Sequence, residues 1–155
     1  MDGIRSVLKN INKYSCPYKI NLHCHTICSD GSLTPIQLFH QAYKIGIQHL
    51  AITDHHTIDG YKSILASKEF QELSIEYPTI WSGVEISGLL KGCLVHIIAL
   101  DFNTTSLDIQ KYLQTIYCLF GMKVPSGYNL EIAFNLFDIC LSLSMLTLRL
   151  RTKKL

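Results

Sequence analysis

The chain has 155 residues, a length that suits one domain. It is 48% hydrophobic and 17% charged, which allows a buried core and excludes a disordered tail. The net charge of +2 is too weak to argue for a nucleic-acid or membrane partner on electrostatics alone.

Residues 1–18 form a lead-in that ends near Pro17. Lys19 to Cys24 is expected as a strand, with Ile20, Leu22 and Cys24 on one face and Asn21, His23 and His25 on the other. Thr34 is a good N-cap and Pro35 fits the first position of a helix that Gly46 stops. Ile36, Phe39 and Tyr43 give that helix its apolar stripe. Ile47 to Thr53 is the second strand, and Asp59-Gly60 opens a second helix that runs to about Leu73. Thr79 to Ile86 and Leu94 to Leu100 are the third and fourth strands, joined by a turn at Lys91-Gly92. Ser106 caps a further helix to Leu119. The order β-α-β-α-β-β-α predicts an α/β fold with a largely parallel sheet.

From about Phe120 the character changes. Gly121, Pro125 and Gly127 mark a break. Leu130, Phe134, Phe137, Leu141, Met145 and Leu148 then fit a helical stripe, whereas Leu141-Ser142-Leu143-Ser144 alternates like a strand. Glu131 and Asp138 interrupt this segment, and only Ile139 to Leu148 is uncharged. That is well short of the roughly 20 residues a membrane span needs. Arg149, Arg151, Lys153 and Lys154 make a basic cluster that reads as a solvated tail.

Six cysteines, Cys16, Cys24, Cys28, Cys93, Cys118 and Cys140, include no C-x-x-C pair, and no continuous apolar stretch precedes them. Free thiols in a reducing cytoplasm are the expectation.

Chemistry concentrates at the strand ends. The first strand supplies His23 and His25, with Asp30 five residues later. The second leads into Asp54-His55-His56, the third carries Glu85, and the fourth contains His96. His55 lies 32 residues after His23 and Glu85 lies 30 after His55, each about one β-α-β unit. Strand ends in α/β folds converge on one crevice, so these residues are expected to meet. Imidazoles with carboxylates and no thiolate pattern suit Zn²⁺, Mn²⁺ or Fe²⁺ rather than a structural cysteine site. Glu85 is the natural bridge, because one carboxylate joins two ions. A histidine alone on an apolar strand, as His96 is, ordinarily belongs to the core; the set as a whole makes it a ligand candidate. His40 and His49 lie outside the pattern and read as structural. Cys24 points away from the histidine face and Cys28 lacks a partner, so neither is a ligand candidate.

Asn21-Leu22-His23-Cys24-His25-Thr26 through Asp30-Gly31 resembles the first motif of the PHP family, the polymerase and histidinol phosphatase domain, which usually has Asp where Asn21 stands. Ala51-Ile52-Thr53-Asp54-His55 resembles the second motif, and Gly83-Val84-Glu85-Ile86-Ser87 and Val95-His96-Ile97-Ile98-Ala99-Leu100 resemble later segments of the phosphoesterase branch. The resemblance covers about residues 19–118. It implies the N-terminal portion of a distorted β/α barrel of the seven-stranded type, and hydrolysis of phosphate esters. The branch it resembles acts on nucleoside bisphosphates and short RNA, which implies a phosphate-ester or nucleotide substrate.

By resemblance, His23 and His25 bind a first metal ion, Glu85 bridges to a second that His96 also binds, and Asp30 and His55 bind a third. Asp54 is implied as an orienting partner, and His56 stands where the branch often has Asp. A hydroxide formed on the metal, rather than a side chain, is the implied nucleophile. The family binds up to three ions, and fewer are expected here: its later histidine and its terminal Asp-x-His pair have no counterpart, and no histidine follows His96. A full β/α barrel takes about 250 residues. The expectation is therefore a truncated member: a partial PHP domain over 19–119 and an apolar tail over 120–155 unlike the family. Its activity is expected to be impaired, and a partner or second copy to cover an open sheet edge. The alternatives are a non-catalytic metal-binding fragment and a polymerase-associated PHP domain.

Overall fold

The structure is a computed structural model that describes residues 3–15, 19–72, 78–90, 93–120 and 146–149. Along the chain lie α1 (Ile4–Lys9), β1 (Ile20–Cys24), α2 (Pro35–Lys44), β2 (His49–Ile52), α3 (Asp59–Ala66), α4 (Lys68–Glu72), β3 (Thr79–Leu90), β4 (Cys93–Leu100), α5 (Leu107–Phe120) and β5 (Leu146–Arg149). The fold is α/β, with one five-stranded sheet in the order β1-β2-β3-β4-β5.

The sheet is parallel in one half only. β1, β2 and the first residues of β3 pair in parallel, and β3 then pairs antiparallel with β4, as β4 does with β5. The expected largely parallel sheet is corrected here. β3 spans 12 residues because it changes neighbour part-way: Thr79 to Ser82 follow β2, and Gly83 to Leu90 follow β4. Only two residues separate β3 from β4, and so short a connection imposes antiparallel pairing. Its turn, Lys91-Gly92, lies outside the described residues.

Local signals place the helices. Thr34 Oγ1 accepts from the Gln37 amide at 3.3 Å and Gln37 Oε1 accepts from the Thr34 amide at 3.0 Å, closing a capping box ahead of Pro35. Gly46, at φ 78°, ends α2 in the left-handed conformation that glycine adopts without a steric penalty. The second predicted helix is broken at Ser67, whose backbone is extended and whose Oγ accepts from the Phe70 amide at 3.1 Å. A serine inside an apolar pattern thus ends one helix and starts another. The lead-in holds α1, whose Ile4, Val7 and Leu8 share one helical face. The Ile4 amide donates to Asp101 Oδ2 at 2.9 Å, which ties α1 to the end of β4.

Each face of the sheet has its own core. Toward α1, Leu22, Ala51, Trp81, Ile98 and Leu100 pack with Ile4. Toward α2 and α3, Leu50, Ile52 and Ile80 pack with Phe39, Ala42, Ile47 and Ile64. Leu22 and Cys24 were expected on one face, yet Leu22 joins the α1 side and Cys24 the α2 side. The cause is a shift in pairing: Asn21 faces Leu50 and Cys24 faces Ile52, so β1 carries one extra residue. Such a bulge re-aims the side chains that follow it.

No helix among the described residues is long and apolar enough to cross a membrane. Of the apolar tail, only β5 is described. It is extended, so Leu148 lies in a strand rather than on a helical stripe. Arg149 lies in that strand, and the remainder of the basic cluster is outside the described residues.

Candidate metal centre

The bulge in β1 brings His23 and His25 to one point. His23 Nε2 lies 2.8 Å from Glu85 Oε2, His25 Nε2 lies 3.0 Å from the same oxygen, and the two nitrogens are 3.0 Å apart. Two imidazole nitrogens and a carboxylate oxygen, each about 3 Å from the others, converge on one point. The chemistry of such a donor set is that of a cation site. Its spacing agrees: ligands about 2.1 Å from an ion at right angles sit about 3.0 Å from one another.

Glu85 reaches the point from β3. Trp81, Gly83, Glu85 and Ser87 alternate onto the α1 side, where Glu85 pairs across the strand with Ile98 and Ser87 with His96. The second oxygen, Oε1, faces His96 Nδ1 at 2.9 Å. Glu85 is 5% exposed. Burial pushes its carboxyl up, but hydrogen bonds from His23 and His25 outweigh burial and hold it well below the usual carboxylate range.

His55 follows β2. It pairs with Glu85 through a single parallel bridge, with the His56 amide donating to the Glu85 carbonyl at 2.9 Å. Its Nε2 lies 3.6 Å from Asp30 Oδ2 and 3.9 Å from Glu85 Oε2. Burial lowers its pKa, so its ring is neutral near pH 7 and keeps a free lone pair. His25 is raised instead, chiefly by its hydrogen bond to Glu85.

All six candidate residues therefore meet. His23, His25 and Glu85 form one group, His25, Asp30 and His55 a second, and His55, Glu85 and His96 a third, each with donor atoms within 4.8 Å of one another. No cysteine belongs to these groups. Cys24 packs against Ala42, Ile47 and Leu50, and burial raises the Cys28 thiol. His40 pairs with Glu69 on the surface, and His49 accepts from the Trp81 indole at 3.3 Å; both lie apart from the centre.

The Asp54 carboxylate bonds to Thr26 and Ser29 rather than to a histidine. It is fully buried and accepts from the Thr26 amide at 2.6 Å, the Thr26 hydroxyl at 2.7 Å and the Ser29 hydroxyl at 2.7 Å. Its orienting action passes through the loop that carries Asp30. Gly60 of α3 lies against this carboxylate, where a Cβ would collide with Asp54 Oδ2. His56 is buried at φ 55°, its Nδ1 3.0 Å from the Tyr112 hydroxyl and its Nε2 accepting from the Ser87 amide at 3.4 Å. Burial pushes its pKa down to about 4.

Sequence reasoning assigned no role to Thr26, Ser29, Ser87 or Tyr112. Ser87 Oγ lies 2.9 Å from His96 Nδ1 and 3.5 Å from His55 Nδ1. Its place two residues after Glu85, on the same strand face, was the available signal.

The PHP domain model matches residues 21–115. The chain is 42% identical over 98 residues to a 5'-3' exoribonuclease of Haemophilus influenzae, covering 63% of this chain and 34% of that protein. It is 38% identical over 85 residues to the 5'-3' exoribonuclease Rnm of Escherichia coli, covering 55% and 28%. A solved structure from Bifidobacterium adolescentis, described as a metal-dependent phosphoesterase, superposes with a TM-score of 0.55 at 28% identity, covering 66% of this chain and 34% of that one. The chain thus spans about a third of the length of the relatives it matches. A family match over more than half of the chain makes this chain a member of the PHP domain family.

Proposed function

We propose that this chain carries the metal-binding part of a metal-dependent phosphoesterase that hydrolyses phosphate esters of nucleotides or short RNA. The division of the Glu85 oxygens carries this reading: one faces His23 and His25, the other His96, as a carboxylate that bridges two cations requires. In this reading His23, His25 and Glu85 hold a first ion, Glu85 and His96 a second, and Asp30 and His55 a third. The imidazole and carboxylate donors favour Mn²⁺, Zn²⁺ or Fe²⁺, and the reduced Cys24 and Cys28 suit a cytoplasmic setting. The exoribonuclease names of the relatives support an RNA or nucleotide substrate.

Divalent ions, when bound, acidify water and offset the negative charge of a phosphoryl group. The side chains prepare that setting. Glu85 stays ionised and supplies negative charge to two sites at once. His55, neutral through burial, offers Nε2 without first losing a proton. Asp30 and His23 lie on the open side of the centre, with side chains 57% and 34% exposed, and this is where substrate enters. Asp54 holds the entrance loop through Thr26 and Ser29.

The test is hydrolysis of bis(p-nitrophenyl) phosphate and of a 5'-labelled RNA oligonucleotide with added Mn²⁺, by wild type and His23→Ala. Turnover that His23→Ala abolishes is expected. Turnover equal in both proteins, or none in a wild type that binds metal, would overturn the proposal.

A further inference from the structure

His25 uses both ring nitrogens. Nε2 faces Glu85 Oε2 and His23 Nε2, each at 3.0 Å, while Nδ1 faces Asp30 Oδ1 at 3.0 Å. A flipped ring would set carbon atoms against both carboxylates, so the contacts fix its orientation. An imidazole that offers the Nε2 lone pair to a cation keeps its proton on Nδ1, and Asp30 Oδ1 is the carboxylate oxygen within 3.0 Å of that nitrogen, with the Ser29 hydroxyl at 3.5 Å. We infer that Asp30 is a positioning residue for His25, fixing its ring and tautomer for the first ion in addition to any ligand role beside His55. The inference rests on the reading of His23, His25 and Glu85 as a metal site.

The loop is built to hold Asp30 there. The Ser29 and Gly31 amides both donate to the Thr26 carbonyl, at 3.0 and 2.9 Å, and the Ile27 amide donates to the Leu33 carbonyl at 2.9 Å. The Ser29 hydroxyl is anchored on the fully buried Asp54 at 2.7 Å. Gly31 lies so close to the His25 carbonyl and the Thr26 amide that any side chain would push the loop away. The Asp30 carboxylate is thereby delivered over His25 by buried contacts, although it is itself exposed. Its other oxygen, Oδ2, is turned toward His55 Nε2 at 3.6 Å. One carboxylate therefore links the first cation group to the group that contains His55. An orienting acceptor of this kind raises ligand basicity, and its removal weakens metal binding by roughly 10- to 100-fold.

Asparagine separates the two roles: it keeps an oxygen that accepts from Nδ1–H but is a poor cation ligand. The experiment uses the full chain with His55→Ala and His96→Ala, which leaves His23, His25 and Glu85 as the only three-residue group among the described residues. Zn²⁺ affinity is read by competition with a chromogenic chelator, and the His25 tautomer by ¹⁵N NMR of the ring. In this background Asp30→Ala is expected to weaken Zn²⁺ roughly tenfold or more. Asp30→Asn should stay within about threefold of its parent and keep the proton on Nδ1. The NMR reading of Asp30→Asn stands even where Asp30→Ala does not fold. Unchanged affinity in Asp30→Ala, equal losses in both variants, or a proton on Nε2 rather than Nδ1 of His25 in the Zn²⁺-loaded parent or in Zn²⁺-loaded Asp30→Asn would overturn the positioning role alone. Absence of Zn²⁺ binding in the unmutated chain would instead overturn the metal site itself, and the inference with it.

Discussion

His55 lies directly opposite Glu85 across a single parallel bridge, beyond the point where β2 ends as a regular strand. The Glu85 amide donates to the Asp54 carbonyl at 3.2 Å, and the His56 amide returns a bond to Glu85. Two ladder bonds therefore place the ligand candidates of two different strands side by side. β3 takes β4 as its neighbour from Gly83 onward, so Glu85 has His55 on one side and Ile98 on the other, and the centre sits where the sheet changes from parallel to antiparallel.

Replacing Glu85 with Gln should disable two cation groups together. An amide keeps the shape but cannot supply negative charge to both sides. We expect metal content to fall and Mn²⁺-dependent hydrolysis to drop by roughly 100-fold or more. Metal analysis of the purified variant, alongside the phosphodiester assay, checks this; full metal content in Glu85→Gln would contradict the bridge.

Asp54→Ala should act on stability before chemistry. It leaves the buried Thr26 amide and hydroxyl without their acceptor. Losing hydrogen bonds to a buried charge costs roughly 1.5–3 kcal/mol each at most, and a total of about 3 kcal/mol is expected. Urea denaturation measures it. A loss below about 1 kcal/mol would show that water replaces the carboxylate.

Metal uptake should strengthen as pH rises. Without an ion, His25 holds a proton above its usual pKa, chiefly through its bond to Glu85. A cation must displace that proton, so affinity increases until the raised pKa is passed and then levels off, by up to about tenfold per pH unit. Zn²⁺ titrations between about pH 6 and pH 8 test this, and a flat profile would count against it.

Acid sensitivity should trace in part to His56. Its folded ring protonates near pH 4, whereas an unfolded ring protonates near 6.5. Between these values the unfolded chain binds more protons, so the stability that His56 contributes above pH 6.5 is lost as pH falls toward 4. At about 1.4 kcal/mol per unit the upper limit is about 3.5 kcal/mol. Asn tolerates the left-handed backbone at this position, so His56→Asn should fold and show a shallower decline in stability over that window. An unchanged pH profile would remove His56 from the explanation.

His40→Ala supplies the contrast. His40 and Glu69 form a surface pair at 2.8 Å with both side chains at least half exposed. Such pairs contribute little, so the change should leave both metal affinity and phosphodiester hydrolysis as they are in the wild type.

The sequence by itself determined which residues are candidate donors. His23, His25, Asp30, His55, Glu85 and His96 were legible because strand-end histidines and carboxylates at β-α-β intervals have one ready explanation, convergence on a crevice. Thr34, Pro35 and Gly46 were legible because caps act through neighbouring residues. The direction in which side chains point was decided by tertiary structure. A one-residue bulge in β1 separates Leu22 from Cys24, and period-two counting cannot register an insertion that only the partner strand reveals. The break at Ser67 depends on an extended backbone that competes with helix formation, and α1 is too short to announce itself without Ala51, Ile98 and Leu100 to pack against. Asp54 carries a ligand residue type in a ligand-rich motif, yet its carboxylate is spent on Thr26 and Ser29. Composition and spacing name the donors; the hydrogen bonds that orient each ring form between segments far apart in sequence, and folding alone brings them together.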